Sequence, residues 1–249
     1  MNILGIRIDN LSKTEVLKKV SDFFVNGKQN KIFTPNPEMV VDAQKDEYFK
    51  IVLNSGDLNV CDGFGLSFVS GAKRYPGVEL MLDICALAEK ENKSIFLLGS
   101  GSEEVIKKTA DELKNKYPNL NICGFNKGVE INKLRNFEID YNNEENDEIV
   151  QQIIMSAPNI LFVAFSHGKQ EKWIYENLKD LPSVKIAMGV GGSFDYISGK
   201  VKRAPLFLRQ IGLEWLYRLI REPRRLKRIW KATAIFLYYA IKKNNPAHQ

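Results

Sequence analysis

Short apolar runs of strand length alternate with stretches of helical periodicity through residues 1–199, and this alternation constrains the fold more than any other feature of the chain. Strand-like runs fall near 3–8, 31–34, 58–61, 94–98, 120–125, 159–165 and 184–189, and helical patterns near 12–27, 37–55, 77–92, 102–116, 144–157 and 168–180. Ser12-x-x-Glu15 has the form of a capping box, and Pro37 behind Asn36 that of a first-turn proline following its cap. The pattern predicts an α/β fold: a Rossmann-like, largely parallel sheet flanked by helices. The Asn- and Glu-rich stretch 126–143 reads as a surface excursion, because the alternation resumes after it.

From Arg203 onward the pattern changes. Leu208, Ile211, Trp215, Leu216, Leu219 and Ile220 recur at helical spacing until Glu222-Pro223 breaks the run, and Leu226, Ile229, Trp230, Thr233, Leu237 and Ala240 then mark one side of a second helix. The chain therefore divides into an α/β catalytic domain, 1–199, and a C-terminal amphipathic helical appendage, 200–249. The appendage holds 13 Lys/Arg against Glu214 and Glu222, whereas the body carries 23 basic and 28 acidic residues. Only the tail is suited to a polyanion, and an anionic membrane surface is the expected partner of 200–249. The longest apolar stretch, Ala234 to Ile241, is far short of the roughly 20 residues a spanning helix needs. Cys61, Cys85 and Cys123 are too scattered for a disulfide framework or a zinc site, and the N-terminus lacks a basic signal region. Together these place the protein at the cytoplasmic face of the cell membrane, as a peripheral protein.

In open α/β sheets ligands bind beyond the carboxyl ends of strands, so the segments there are the candidate sites. Thr34-Pro35-Asn36-Pro37 forms a polar ledge stiffened by two prolines, although Asn36 alone could serve as an ordinary helix cap. Asp62-Gly63-Phe64-Gly65 puts a carboxylate in the crevice, with capping again the plainer role. Gly99-Ser100-Gly101-Ser102 is a weak phosphate-cradle signal. Gln170 opens a helix after the strand near 159–165, and Gly189-Val190-Gly191-Gly192-Ser193-Phe194-Asp195 is a flexible turn with a carboxylate at its edge. Walker A, G-x-S-x-G, H-E-x-x-H and D-x-D sequences are absent, and His167 and His248 leave little for a histidine triad or metal cluster. A diphosphate leaving group would then rest on basic side chains and helix dipoles in place of a metal.

Thr34-Pro35-Asn36-Pro37-Glu38-Met39, Asp62-Gly63-x-Gly65, Lys169-Gln170-Glu171-Lys172-Trp173, the 189–195 turn, Arg203-Ala204-Pro205 and the run from Gly212-Leu213-Glu214-Trp215 to Glu222-Pro223-Arg224-Arg225 follow one another in this order. In that order they resemble the WecG/TagA/CpsF glycosyltransferase family across nearly the whole chain. The resemblance implies transfer of a hexosamine, typically N-acetylmannosamine from its UDP form, onto undecaprenyl-diphosphate-linked N-acetylglucosamine, as in wall teichoic acid linkage units. It implies inversion at the anomeric carbon with neither metal nor other cofactor. By the same resemblance Asp62 is the general base, with Thr34 and Asn36 beside it. Gln170 holds the donor, Gly191, Gly192 and Asp195 meet the nucleotide, and Arg74, Arg218 and Arg225 bind substrate, the last two at the leaving diphosphate. Tyr75-Pro76 and Ser166-His167-Gly168 depart from the usual family residues, and His167 reads as a surface histidine. Two alternatives stand beside this reading. One keeps the family but uses another UDP-hexose or UDP-hexuronic acid for capsular or common-antigen polysaccharide; the other is a nucleic-acid-binding module led by the basic tail. The first reading expects no nucleic acid and leaves a homo-oligomer open.

Overall fold

The computed structural model describes residues 1–134 and 138–243, so the end of the expected appendage, 244–249 with His248, lies outside the described residues. The chain opens with an antiparallel hairpin, β1 (Asn2–Ile3) and β2 (Ile6–Arg7). Then come α1 (Lys13–Val25), β3 (Asn30–Phe33), α2 (Pro37–Asp42), α3 (Glu47–Asn54), β4 (Leu58–Asn59), α4 (Phe64–Ser70) and α5 (Gly77–Lys90). They are followed by β5 (Ser94–Gly99), α6 (Glu103–Lys116) and β6 (Asn121–Asn126). The excursion carries a second hairpin, β7 (Asn132–Lys133) and β8 (Ile139–Asp140), before α7 (Asn143–Ser156), β9 (Ile160–Ala164), α8 (Lys169–Asn177), β10 (Ile186–Gly189) and α9 (Ser193–Ile197). The tail holds α10 (Leu206–Gln210), α11 (Glu214–Arg221), α12 (Leu226–Trp230) and α13 (Phe236–Lys243).

Six strands form one parallel sheet in the order β4-β3-β10-β9-β5-β6. Both faces are covered, which is why its strands are apolar throughout rather than alternating. Phe33, Phe96, Leu98, Leu161, Val163 and Ala187 point into a core shared with α2, α3, α7 and α8. Ile32, Ile95, Leu97, Ile160, Phe162, Ile186 and Met188 point into the opposite core, with α1, α5, α6 and α9. Consecutive strand residues thus feed opposite cores, as the pleat requires. The helices α2 and α9, which follow the neighbouring strands β3 and β10, lie on opposite faces, and so do α8 and α6 after β9 and β5. Each divergence opens a crevice at the carboxyl end of the sheet.

The α/β fold is the one expected, and four local features differ. The run 3–8 is not one strand: Leu4 and Gly5 both take positive φ, 51° and 85°, and turn it into the first hairpin. The helix expected over 37–55 is split, because the Asp46 carboxylate accepts the Phe49 N–H and starts α3 afresh. Gly63-Phe64-Gly65 reads as a loop yet begins α4, and Gly63, at φ 96°, sits where a Cβ would come within 3.1 Å of Pro37 Cδ. In the tail, a π-helical turn over Lys231–Ile235 joins α12 to α13 and shifts the phase of the helix. Phe236 and Ala240 are therefore buried, while Leu226, Trp230 and Leu237 of the expected apolar side are exposed.

The tail is held by more than apolar packing. Glu38, buried in α2, accepts paired hydrogen bonds from Arg228 at 2.9 and 3.1 Å, and Lys231 donates to Asp42 at 2.8 Å. Between these pairs Phe236, fully buried, joins the core that contains Met39, Leu66 and Ala72. Phe236→Ala is expected to cost about 3–5 kcal/mol, the usual range for truncating a buried phenylalanine. Thermal unfolding should show the loss, and limited trypsinolysis should cut at the basic residues after Arg218 faster than in the parent protein.

Candidate active site

One cleft of about 740 Å³ spans both crevices and is closed on one side by the tail. Thr34, Asn36, Asp62, Arg74, Gln170, Gly191, Gly192, Asp195, Arg218 and Arg225 all line it, although they come from seven separate segments of the chain. Asp62 follows β4 and is half-buried. It accepts backbone N–H groups from Gly63 and from Gly77, the first residue of α5. A Cβ at Gly77 would lie 3.2 Å from Thr34 Oγ1 and 3.6 Å from Asp62 Oδ2, so this glycine lets the two polar side chains meet the helix N-terminus. Burial pushes the Asp62 carboxyl up, the Arg74 charge pulls it down, Glu214 pushes it up again, and the balance is about 6. Desolvation outweighs the helix N-terminus and the arginine together.

Asn36 does act as a cap, its Oδ1 accepting the Met39 N–H at 3.1 Å, while its position keeps it on the cleft wall. Gln170 is buried and has a structural task of its own. Its Oε1 accepts the Gly191 N–H at 2.8 Å and its Nε2 donates to Glu171 at 2.7 Å, fixing the 189–193 turn. Gly191 needs its positive φ of 53°, and a Cβ built on Gly191 or Gly192 would meet nothing within 4 Å, so the space before this turn is open. Asp195 pairs loosely with Lys200 at 3.4 Å. The Gly99–Ser102 turn is not a phosphate cradle: Ser100 N–H bonds to Ala164 O, Gly101 N–H to Lys127 O, and Ser102 caps α6. Of that turn only Ser100, at a positive φ of 75°, reaches the cleft wall.

The tail supplies arginines to this cleft. Arg218 lies over the Tyr196 ring at 4.9 Å with Arg203 at 5.7 Å, and Arg218 and Arg225 share Glu222, at 3.8 and 2.6 Å. Arg74 donates to Arg209 O at 3.0 Å and approaches Glu214, which also faces Arg203 at 3.6 Å. The Nε atoms of Arg74, Arg203 and Arg218 are buried without a hydrogen-bond partner among the described residues. Arg203 Nε still has Glu214 at 3.6 Å, but Arg74 Nε and Arg218 Nε have no ion-pair partner among those residues either. Unpaired buried donors are costly, and two around one cleft suit an anionic ligand. Arg203 and Glu214 belong to motifs that carry the family resemblance, but nothing in the sequence gives them or Tyr196, just after the 189–195 turn, a place in the site.

His167 is not a surface histidine. It sits between Asp42, at 3.0 Å, and Glu38, at 3.8 Å, with Arg228 beyond it. Glu38, Asp42 and His167 bring ligand atoms within 4.8 Å of one another, the one such group among the described residues. Arg228 and Lys231 already match its negative charge. Burial pushes Asp42 up, but hydrogen bonds from His167 and Lys231 win and hold it at about 2. The cluster is thus an ion-paired knot between body and tail, at the rim of the cleft.

The raised Asp62 carboxyl sets a stability test. A carboxyl whose proton affinity rises on folding contributes stability below its ordinary value of 3.8, and that contribution is lost as pH climbs through about 6. Asp62→Asn removes the titration, so its melting temperature relative to the parent should improve between pH 5 and pH 8. A difference that stays flat over that range would mean that Asp62 is not held in its protonated form by burial.

The chain matches the glycosyl transferase WecG/TagA/CpsF family model over residues 1–249. It is 30% identical over 250 aligned positions to the N-acetylglucosaminyldiphosphoundecaprenol N-acetyl-beta-D-mannosaminyltransferase of Staphylococcus aureus strain MW2, covering 97% of this chain and 92% of that one. The enzymes of the same name from strains NCTC 8325 and COL match with the same identity and coverage. With a parallel α/β sheet, a carboxylate at the crevice and a full-length match, the chain belongs to the WecG/TagA/CpsF family of glycosyltransferases.

Proposed function

We propose that the protein transfers N-acetylmannosamine from its UDP form to a polyprenyl-diphosphate-linked N-acetylglucosamine, inverting the anomeric carbon without a metal. The observation that carries this reading is the convergence of Asp62, the open 189–193 turn and the tail arginines on one cleft. The relatives' name supplies the sugar and the acceptor, including the lipid carrier. In this mechanism the acceptor hydroxyl attacks the sugar carbon as UDP departs, and Asp62 takes the hydroxyl proton as the bond forms. A carboxyl near 6 is well matched to that task, since a base works best when its proton affinity lies close to working pH. Thr34 and Asn36 flank the reacting sugars, while Gly191, Gly192 and Asp195 meet the nucleotide on the turn that Gln170 holds. Arg74, Arg218 and Arg225 take the negative charge that develops on the diphosphate; their unpaired or shared guanidinium nitrogens support that assignment. Other UDP-hexoses or hexuronic acids remain competitors for the donor site and belong in the same screen.

In this proposal the body, 1–199, carries the catalytic base and the nucleotide turn, while the tail, 200–249, lends Arg218 and Arg225 to the cleft and docks the protein on the membrane. No described helix is long and apolar enough to cross a membrane. Instead α11 is turned inside out: Glu214 and Arg218 face the cleft side, while Leu216 and Ile220 are exposed away from it. Arg221, Arg224 and Lys227 are exposed and make no ion pair among the described residues. Basic residues near an anionic surface contribute about 1 kcal/mol each, enough for reversible attachment to the cytoplasmic leaflet.

A screen of UDP-sugars with a lipid-diphosphate-linked N-acetylglucosamine, following UDP release, tests the reaction directly; silence with every donor would sink it. Asp62→Asn is expected to lower turnover at least about 10²-fold with donor binding kept. In the parent protein kcat/KM should rise with pH through about 6, as the carboxylate form appears. Arg218→Ala and Arg225→Ala should each cost about 10²-fold in kcat, the scale for removing one preorganised charge donor. Near-normal turnover in both arginine variants would free the tail from any part in the chemistry.

A further inference from the structure

The mouth of the cleft carries an apolar feature that the polar chemistry does not use. Phe64 and Phe68, one turn apart on α4, stack with ring centroids 6.1 Å apart and planes 22° apart. Phe68 is 76% exposed and Phe64 46%, yet both line the cleft. Ile211, Trp215 and Leu237, all exposed as well and all supplied by the tail, line the same cleft. Gly212, at φ 78°, brings the tail backbone so close to Phe64 that a Cβ there would lie 2.4 Å from its ring. The rim is therefore an apolar channel lined jointly by α4 and the tail, which touch at Phe64 and Gly212. A stacked pair of phenylalanines with this much exposure costs solvation and contributes little to the core.

We infer that this channel holds the first isoprene units of the acceptor's lipid chain, so that Phe64 and Phe68 make the enzyme selective for prenyl over short alkyl diphosphates. The inference rests on the proposed lipid-linked acceptor. Phe64 comes two residues after Asp62 at the start of α4 and lines the same cleft, so an apolar surface begins beside the carboxylate where a sugar diphosphate would react. The arginines on the same cleft fix the diphosphate at the inner end, and an occupant that is anionic within and apolar at the mouth matches both. A bilayer surface would satisfy the exposed rings but would not need the inward-lining positions of Phe64 and Ile211.

Calorimetric binding of farnesyl diphosphate and butyl diphosphate, without detergent or bilayer, reads the channel without requiring turnover. The parent protein is expected to prefer farnesyl diphosphate by about tenfold or more, a difference of at least about 1.4 kcal/mol. Phe68→Ser should lose most of that preference and Phe64→Ser/Phe68→Ser the rest, while Phe68→Leu should keep it because apolar area is retained. Phe68 is exposed enough that its serine variant should fold, which circular dichroism checks. Equal affinity of the parent for both diphosphates overturns the inference. So does a preference that survives in the double variant, including the case in which only binding to anionic phosphatidylglycerol vesicles is lost, which would make the pair a bilayer contact. Failure of sugar transfer with farnesyl preference intact would count against the proposed reaction and leave the channel standing.

Discussion

Two neighbouring strand pairs, β3/β10 and β9/β5, send their following helices to opposite faces of a single sheet, and the gap this leaves is where every functional side chain gathers. Parallel strands place all their carboxyl ends on one edge, so loops far apart in sequence share that edge automatically. The Thr34–Pro37 ledge, the Asp62 turn, Gln170 and the 189–195 turn thus meet without any direct sequence proximity. What the sheet cannot supply is cationic charge, because the loops at this edge bring mostly hydroxyl, amide and carboxylate groups. Arg74 and the tail arginines provide it, and the tail must fold back for that to happen.

Charge in the cleft is balanced rather than neutralised. Arg74 stands between two carboxylates, Asp62 and Glu214, one from the body and one from α11, and Arg203 helps to hold the second. Charges held partly out of water interact more strongly than at the surface, so a displacement of α11 that moves Glu214 changes the proton affinity of Asp62. Burial then decides the sign, leaving the carboxyl near 6 despite an arginine and two N–H donors. The unpaired Nε atoms of Arg74 and Arg218 belong to the same incomplete balance.

The sheet was legible because buried parallel strands are apolar on both faces, and the family motifs were legible because they lie at strand ends. Backbone events were not. The hairpin at Leu4-Gly5 depends on a leucine accepting positive φ, the break before α3 on one side-chain cap, and the phase of α13 on a π turn. None of these leaves a periodic trace. For the site, position was readable and environment was not: sequence singled out Asp62, but its proton affinity depends on Glu214, 152 residues later, and on the closeness of Gly77. The burial of His167 was hidden for the same reason, since its partner Asp42 lies 125 residues earlier in the chain, on α2.

The union of α2 with the last helices has a further consequence. Glu38 and Arg228 are 190 residues apart, yet they are joined by paired hydrogen bonds, with Lys231 also near the carboxylate, and Phe236 is buried in the same core as Met39 of α2. A buried acid stripped of its guanidinium is a liability of several kilocalories, so the far end of the chain is an integral part of the folded unit. Moving this segment onto another body would require moving its partners on the helix that begins at Pro37 as well.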